Sequence, residues 1–169
     1  DFLDRADILC SLGYTVMISN YMKYYKLCEY LSRYSDKRLG FIIGVDNLVE
    51  MFEEKYYRNL NGGIMEAFGI MLTRDIKIYL YPSQRNSENQ LINSKNIIVH
   101  PRAKSIYKYL LNNKRIEDLD YEKDILGIYS RDVLKKIKSC EIGTWEHMVP
   151  DGVADIIKDK SLFGMTCKI

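Results

Sequence analysis

Proline is scarce in this chain, three residues in 169, and histidine scarcer, with only His100 and His147. The four cysteines (Cys10, Cys28, Cys140, Cys167) form no Cys-x-x-Cys pair and no other metal-ligand spacing, which excludes a zinc finger or ribbon. Cys10 and Cys28 fall on apolar faces of helical patterns, where a free thiol packs as a small hydrophobe. Scattered, unpaired cysteines point to a reduced, cytoplasmic compartment. Apolar runs are strand-sized, far below the ~20 residues of a membrane-spanning helix, and no signal-peptide pattern is present. A membrane partner is therefore not expected. Charge of one sign is missing too: 25 basic and 23 acidic residues are interspersed, for a net +2. Without a basic arm or broad positive surface, nucleic acid gains no support. The short Lys135-Lys136-Ile137-Lys138 run reads as a solvated helix face.

What is present is ordinary for a globular chain: 47% hydrophobic and 28% charged residues. A domain of this length buries roughly 70% of the surface its unfolded chain exposes, enough for a core without disulfides. The expectation is a single α/β domain over 1–169, with a βαβ core in 1–100 and a helical extension in 101–169 packed on it. Phe2, Leu3, Ala6 and Leu9 already have helical spacing. This reads as a helix under way, and as the C-terminal part of a longer protein with a preceding N-terminal region.

That first pattern ends at Gly13, suited to the left-handed position after a helix. Residues 14–19 (Tyr-Thr-Val-Met-Ile-Ser) read as a buried strand, and 21–34 as an amphipathic helix with Tyr24, Leu27, Cys28 and Leu31 on one face. Residues 39–44 (Leu-Gly-Phe-Ile-Ile-Gly) are apolar on both faces, as in strands of helix-covered parallel sheets. Strand, helix and strand make a βαβ unit. A helix after Asp46 carries Leu48, Met51, Phe52 and Tyr56, and a short one follows Gly62-Gly63. Residues 76–81 form a third strand stopped by Pro82, and its Lys77 suggests an edge strand or one less covered than the others. The polar stretch 83–90 reads as a mobile loop, and 97–99 as a short extra strand. Pro101 opens a helix with Ala103, Ile106, Tyr107, Leu110 and Leu111 in a stripe, and shorter helices follow near 131–139 and 151–158. The fold expected is a three-layer, Rossmann-like α/β domain with a mainly parallel sheet of three to four strands.

In open parallel sheets ligands bind beyond the carboxyl ends of the strands. That rule selects Ser19 and Asn20, then Gly44, Asp46 and Asn47, then Tyr81 and Ser83. Gly44 permits close backbone approach, while Asn20 and Asp46 can hydrogen-bond a ribose or a base edge. Both are also good helix caps. Gly62 and Gly63 can offer backbone N–H groups to a phosphate, or simply turn the chain. His147 lies seven residues after Cys140, a spacing that leaves a Cys–His pair open. Tyr21, Tyr24, Tyr25, Tyr30 and Tyr34 crowd one helix, which reads as core and rim packing or as a stacking surface.

The stretches Arg5-Ala6-Asp7-Ile8-Leu9-Cys10, Gly13-Tyr14-Thr15-Val16-Met17-Ile18-Ser19-Asn20, Phe52-Glu53-Glu54-Lys55-Tyr56-Tyr57, Gly62-Gly63-Ile64-Met65-Glu66-Ala67-Phe68, Ser130-Arg131-Asp132-Val133-Leu134 and Trp145-Glu146-His147-Met148-Val149-Pro150 carry a resemblance. Together they resemble a bacterial α/β family whose members bear labels such as nicotinate-nucleotide adenylyltransferase or TonB-dependent receptor. The resemblance implies no settled activity. A receptor of that kind is an outer-membrane barrel, unlike this helix–strand alternation. Adenylyl transferases carry His-x-Gly-His after the first strand, where this chain has Ser19-Asn20-Tyr21-Met22-Lys23.

The sequence therefore predicts a domain that binds a nucleotide, sugar nucleotide or similar phosphate-bearing metabolite within a larger bacterial enzyme. The alternative is a non-catalytic interaction or oligomerisation module. It names no catalytic residue and no cofactor.

Overall fold

The computed structural model describes residues 2–73, 75–85 and 90–167. In chain order the first elements are α1 (Phe2–Ser11), α2 (Tyr24–Leu31), β1 (Leu39–Gly44), α3 (Val45–Met51) and α4 (Gly63–Leu72). Then come β2 (Ile76–Tyr81), β3 (Ser83–Arg85), β4 (Gln90–Ile92), α5 (Lys104–Asn112), β5 (Ile116–Asp118), α6 (Ser130–Lys138) and α7 (Val153–Asp159). The chain divides into two compact units, Tyr21–Gly127 and Asp1–Asn20 with Ile128–Ile169.

The Tyr21–Gly127 unit is mixed α/β around a parallel sheet of order β1-β2-β5. Successive strands add on the same side of their predecessor. Right-handed crossovers then place all the connecting helices on one face of the sheet. Burial agrees. The core takes Ile43, Ile76, Ile78, Leu80 and Ile116 from the strands, and they meet Cys28 of α2, Leu48 of α3, Phe68 of α4 and Leu110 of α5. Phe52 stacks on Phe68 at 5.0 Å and meets Tyr107 edge-on at 5.3 Å. The opposite face carries Gly40 and Ile42 of β1, Lys77, Tyr79 and Tyr81 of β2, and Glu117 of β5. Ile42 is 71% exposed there. Instead of the three layers expected, this unit has two, helices and sheet.

Further expectations are corrected. Residues 14–19 form no strand. They run irregularly and largely exposed after Gly13, whose φ of +86° ends α1. A short apolar run carries no information on whether a sheet partner exists. The βαβ unit is instead β1, α3–α4, β2. Lys77 does not mark an edge, because β2 is the central strand, but it does lie on the less covered face of the sheet. Its ammonium pairs with Glu117 of β5 at 2.6 Å and lies 5.4 Å from the Tyr79 ring centre, so the charge is satisfied within the sheet face. Residues 97–99 are not a strand, whereas β5, inside the expected extension, joins the sheet. The ends of the polar stretch 83–90 pair as the β3–β4 hairpin. Residues 86–89, expected to be loop, lie outside the described residues.

The other unit packs α1, α6 and α7 around Trp145, which is fully buried with Ile8, Val133, Ile137, Val153 and Ile157. Cys140 and Cys167 form a disulfide with Cα atoms 5.8 Å apart. This corrects the expectation of four unpaired thiols and removes the cysteine argument for a reducing compartment. Cys10 is free and exposed, and Cys28 is free and buried. Among the described residues no helix is long and apolar enough to cross a membrane.

Candidate functional site

The Tyr21–Gly127 unit contains a cleft of about 510 Å³, within the range of small-molecule sites. Its walls come from the segment entering α2, from α3, and from the turn that follows α3. The segment before α2 contributes Tyr21 and Lys23, and α2 itself Tyr24 and Leu27. Asn47, Glu50 and Met51 lie along α3, and Tyr56 and Tyr57 close the far side. Gly44 is the N-cap residue of α3 and ends β1, so the first turn of α3, with Asn47, sits at the carboxyl end of that strand.

Polar groups in and behind these walls are fixed by specific bonds. The Lys23 ammonium donates to the Tyr56 carbonyl and, at 3.0 Å, to Asn59 Oδ1. The Asn59 amide donates to the Tyr25 hydroxyl at 3.2 Å. Tyr57 donates to the Met51 carbonyl at 2.6 Å, tying the turn to the end of α3. Burial pushes the Tyr57 phenol up to about 12, with Tyr25 and Tyr24 adding to it. The Tyr24 phenol is raised by burial and then by the Glu50 carboxylate. Both therefore stay protonated and act as neutral hydrogen-bonding rings.

Of the residues chosen from sequence, Asn47 lines the cleft. Gly44 and Tyr81 are register neighbours at the ends of β1 and β2. The Tyr81 hydroxyl is buried and has no hydrogen-bond partner among the described residues. Asp46 is exposed in the first turn of α3, two residues past the N-cap Gly44, so it does not cap the helix as expected. Gly62 precedes α4, and its N–H donates to the Glu66 carboxylate at 2.7 Å, so that donor is already taken. Gly63 follows with φ +55°, a backbone conformation that glycine adopts freely. Ser19 and Asn20 are exposed and belong to the other unit. Asn20 does not cap α2, which begins at Tyr24. Tyr21 and Tyr24 of the cleft were visible in sequence among the tyrosines crowding one expected helix. What sequence did not show was that Tyr56 and Tyr57 would face Tyr21 and Tyr24.

Other candidate chemistry is absent among the described residues. Cys140 is committed to its disulfide and cannot serve His147 as a nucleophile. His100 Nδ1 accepts from the Arg102 N–H at 3.4 Å as a cap of the short 3-10 turn Pro101–Ala103. No group of three His, Cys, Asp or Glu side chains is placed to hold a metal among the described residues.

Compared with known proteins, the chain matches no family model, no curated protein and no solved structure.

Proposed function

We propose that the Tyr21–Gly127 unit is a ligand module that takes the nucleoside part of a nucleotide or sugar nucleotide in the tyrosine-walled cleft. One observation carries this reading. Four tyrosines (Tyr21, Tyr24, Tyr56 and Tyr57) line a cleft that also presents an amide, a carboxylate and an ammonium. Flat rings favour a flat ring by stacking, worth about 1–3 kcal/mol per base in related settings. The Asn47 amide offers both donor and acceptor to a base edge, and the Glu50 carboxylate can accept from ribose hydroxyls. Lys23 uses two of its N–H groups internally, and the third is left for a phosphate oxygen.

The test is a thermal-shift screen against adenosine, ATP, a uridine-diphosphate sugar, a dinucleotide and S-adenosylmethionine. A stabilising shift from one class is expected. It should be lost in Asn47→Ala and Tyr56→Ala while the unliganded melting temperature stays close to wild type. No shift from any compound, or a shift that both variants retain, would overturn the proposal and favour the interaction-module reading.

A further inference from the structure

β1 lies at one edge of the sheet, and its free side is not blunted in the usual ways. Its six residues, Leu39-Gly40-Phe41-Ile42-Ile43-Gly44, include no charge and no proline. Natural edge strands normally carry one or the other, because unpaired main-chain groups recruit further strands. The Leu39 N–H donates to the Asp75 carbonyl at 3.2 Å, which sets the parity of the strand. Leu39, Phe41 and Ile43 aim their main chain at β2, and the alternate residues Gly40 and Ile42 aim theirs outward. Among the described residues no turn, loop or cap bond reaches the N–H or C=O of Gly40 or Ile42.

The face above this edge is apolar as well as open. Ile42 is 71% exposed, and its register neighbour on β2 is Tyr79. The Tyr79 ring leans across Gly40, where a Cβ would sit 3.0 Å from Cε2. A parallel strand is ordinarily covered on both faces, so this exposure is out of place in an isolated chain.

We propose that two copies of this chain pair through β1 as antiparallel edge strands about a two-fold axis at Ile42. In that register Ile42 faces Ile42, and Gly40 faces Gly44 of the second copy. These are the residues whose main chain points outward, so the hydrogen-bond ladder closes without a bulge. A shift by one residue would oppose outward groups with inward ones. Charge favours a second copy over a foreign strand. Exposed Lys37 precedes β1 and exposed Asp46 follows it, while Arg38 is paired with Asp75 of its own chain, so antiparallel pairing sets the Lys37 end of each copy beside the Asp46 end of the other. The patch is self-complementary, as an isologous interface requires. The product is a continuous six-stranded sheet, with Ile42 and Tyr79 of both copies forming one apolar patch on the open face.

Sedimentation velocity over a concentration series tests this on wild type, Ile42→Lys, Lys37→Glu and the double variant Lys37→Glu/Asp46→Lys. Wild type is expected to dimerise. Ile42→Lys sets two like charges opposite each other and should weaken the dimer by at least about tenfold, with an unchanged far-ultraviolet spectrum because the side chain is exposed. Lys37→Glu should weaken it less, and the double variant should restore it. Amide exchange at Gly40 and Ile42 should be slower in the dimer than in the Ile42→Lys monomer. A wild type that stays monomeric, a dimer indifferent to Ile42→Lys, or a dimer without that protection would each overturn the proposal. A monomer that instead captures an apolar strand peptide would assign the edge to a foreign partner.

Discussion

Glu146 accepts a 2.9 Å ion pair from Lys158, and the same ammonium lies 5.8 Å from the ring centre of the buried Trp145. The Glu146 carboxylate also accepts the N–H of Gly143 at 2.8 Å and that of Trp145 at 3.2 Å. The Gly143 N–H first, then Lys158, hold its carboxyl down to about 2, with the Trp145 N–H adding least. A 3-10 turn and α7 are thus fastened together over the one tryptophan of the chain.

This fastening gives the unit containing Trp145 an acid dependence with a fixed sign. A carboxyl depressed in the folded state stabilises it above the unfolded pKa, and loses that contribution as pH falls through the folded value. Stability should decline from the ordinary glutamate range, near 4.5, down to about 2. Glu146→Gln should cost roughly 1 kcal/mol at neutral pH and flatten the acid limb, since the pair is partly exposed. Trp145 fluorescence during urea unfolding at several pH values measures both. An identical acid limb in wild type and variant would refute the assignment.

The Cys140–Cys167 bridge closes a loop of 27 residues in sequence separation. Constraining the unfolded chain over a loop of that size is worth about 3.5 kcal/mol in the entropic account. Reduction, or Cys167→Ser, should therefore lower the Trp145-monitored midpoint and leave the Tyr21–Gly127 unit unaffected. Thiol titration of the unreduced, denatured protein should find only Cys10 and Cys28, with Cys28 reacting only after unfolding because it is buried. Four titratable thiols would contradict the bridge.

Legibility followed the kind of information each element carries. β1 and β2 were readable to the residue, because a short apolar run bounded by a charged turn and by glycine or proline encodes a strand locally. The α5 stripe was readable for the same reason. Residues 14–19 look alike in composition but find no partner, and pairing is a property of distant chain. The central position of β2 hinged on β5, whose three residues Ile116-Glu117-Asp118 show no strand signature. In the site, Asn47 followed from the strand-end rule. Tyr56 and Tyr57 could not, because they are brought round by the turn after α3 and held there by the Tyr57–Met51 and Lys23–Tyr56 bonds. The disulfide was invisible because 26 intervening residues hide the approach of Cys140 to Cys167.

The cap on α4 is a local device that can be removed alone. Glu66 reaches back to the Gly62 N–H at 2.7 Å, satisfying a donor that the helix start would otherwise leave open. Glu66→Ala should cost about 0.5–1 kcal/mol, and Glu66→Gln, which keeps an acceptor, less. Chemical denaturation followed by far-ultraviolet circular dichroism would show the order. Equal losses from both variants would mean that charge at the helix start, not the hydrogen bond, supplies the effect.

The two faces of the sheet should respond oppositely to truncation. Leu80 on β2 is fully buried against the helices, whereas Ile42 on β1 is 71% exposed on the other side. Leu80→Ala removes transfer energy and leaves a cavity, at a cost of about 2–5 kcal/mol. Ile42→Ala, measured at concentrations where the chain is monomeric, should change stability by no more than about 0.5 kcal/mol. Urea unfolding monitored at the amide bands gives both values, and the contrast tests the two-layer arrangement directly. If Ile42→Ala cost as much as Leu80→Ala in the monomer, the supposedly open face would have to be a second core, and the sheet would be covered on both sides.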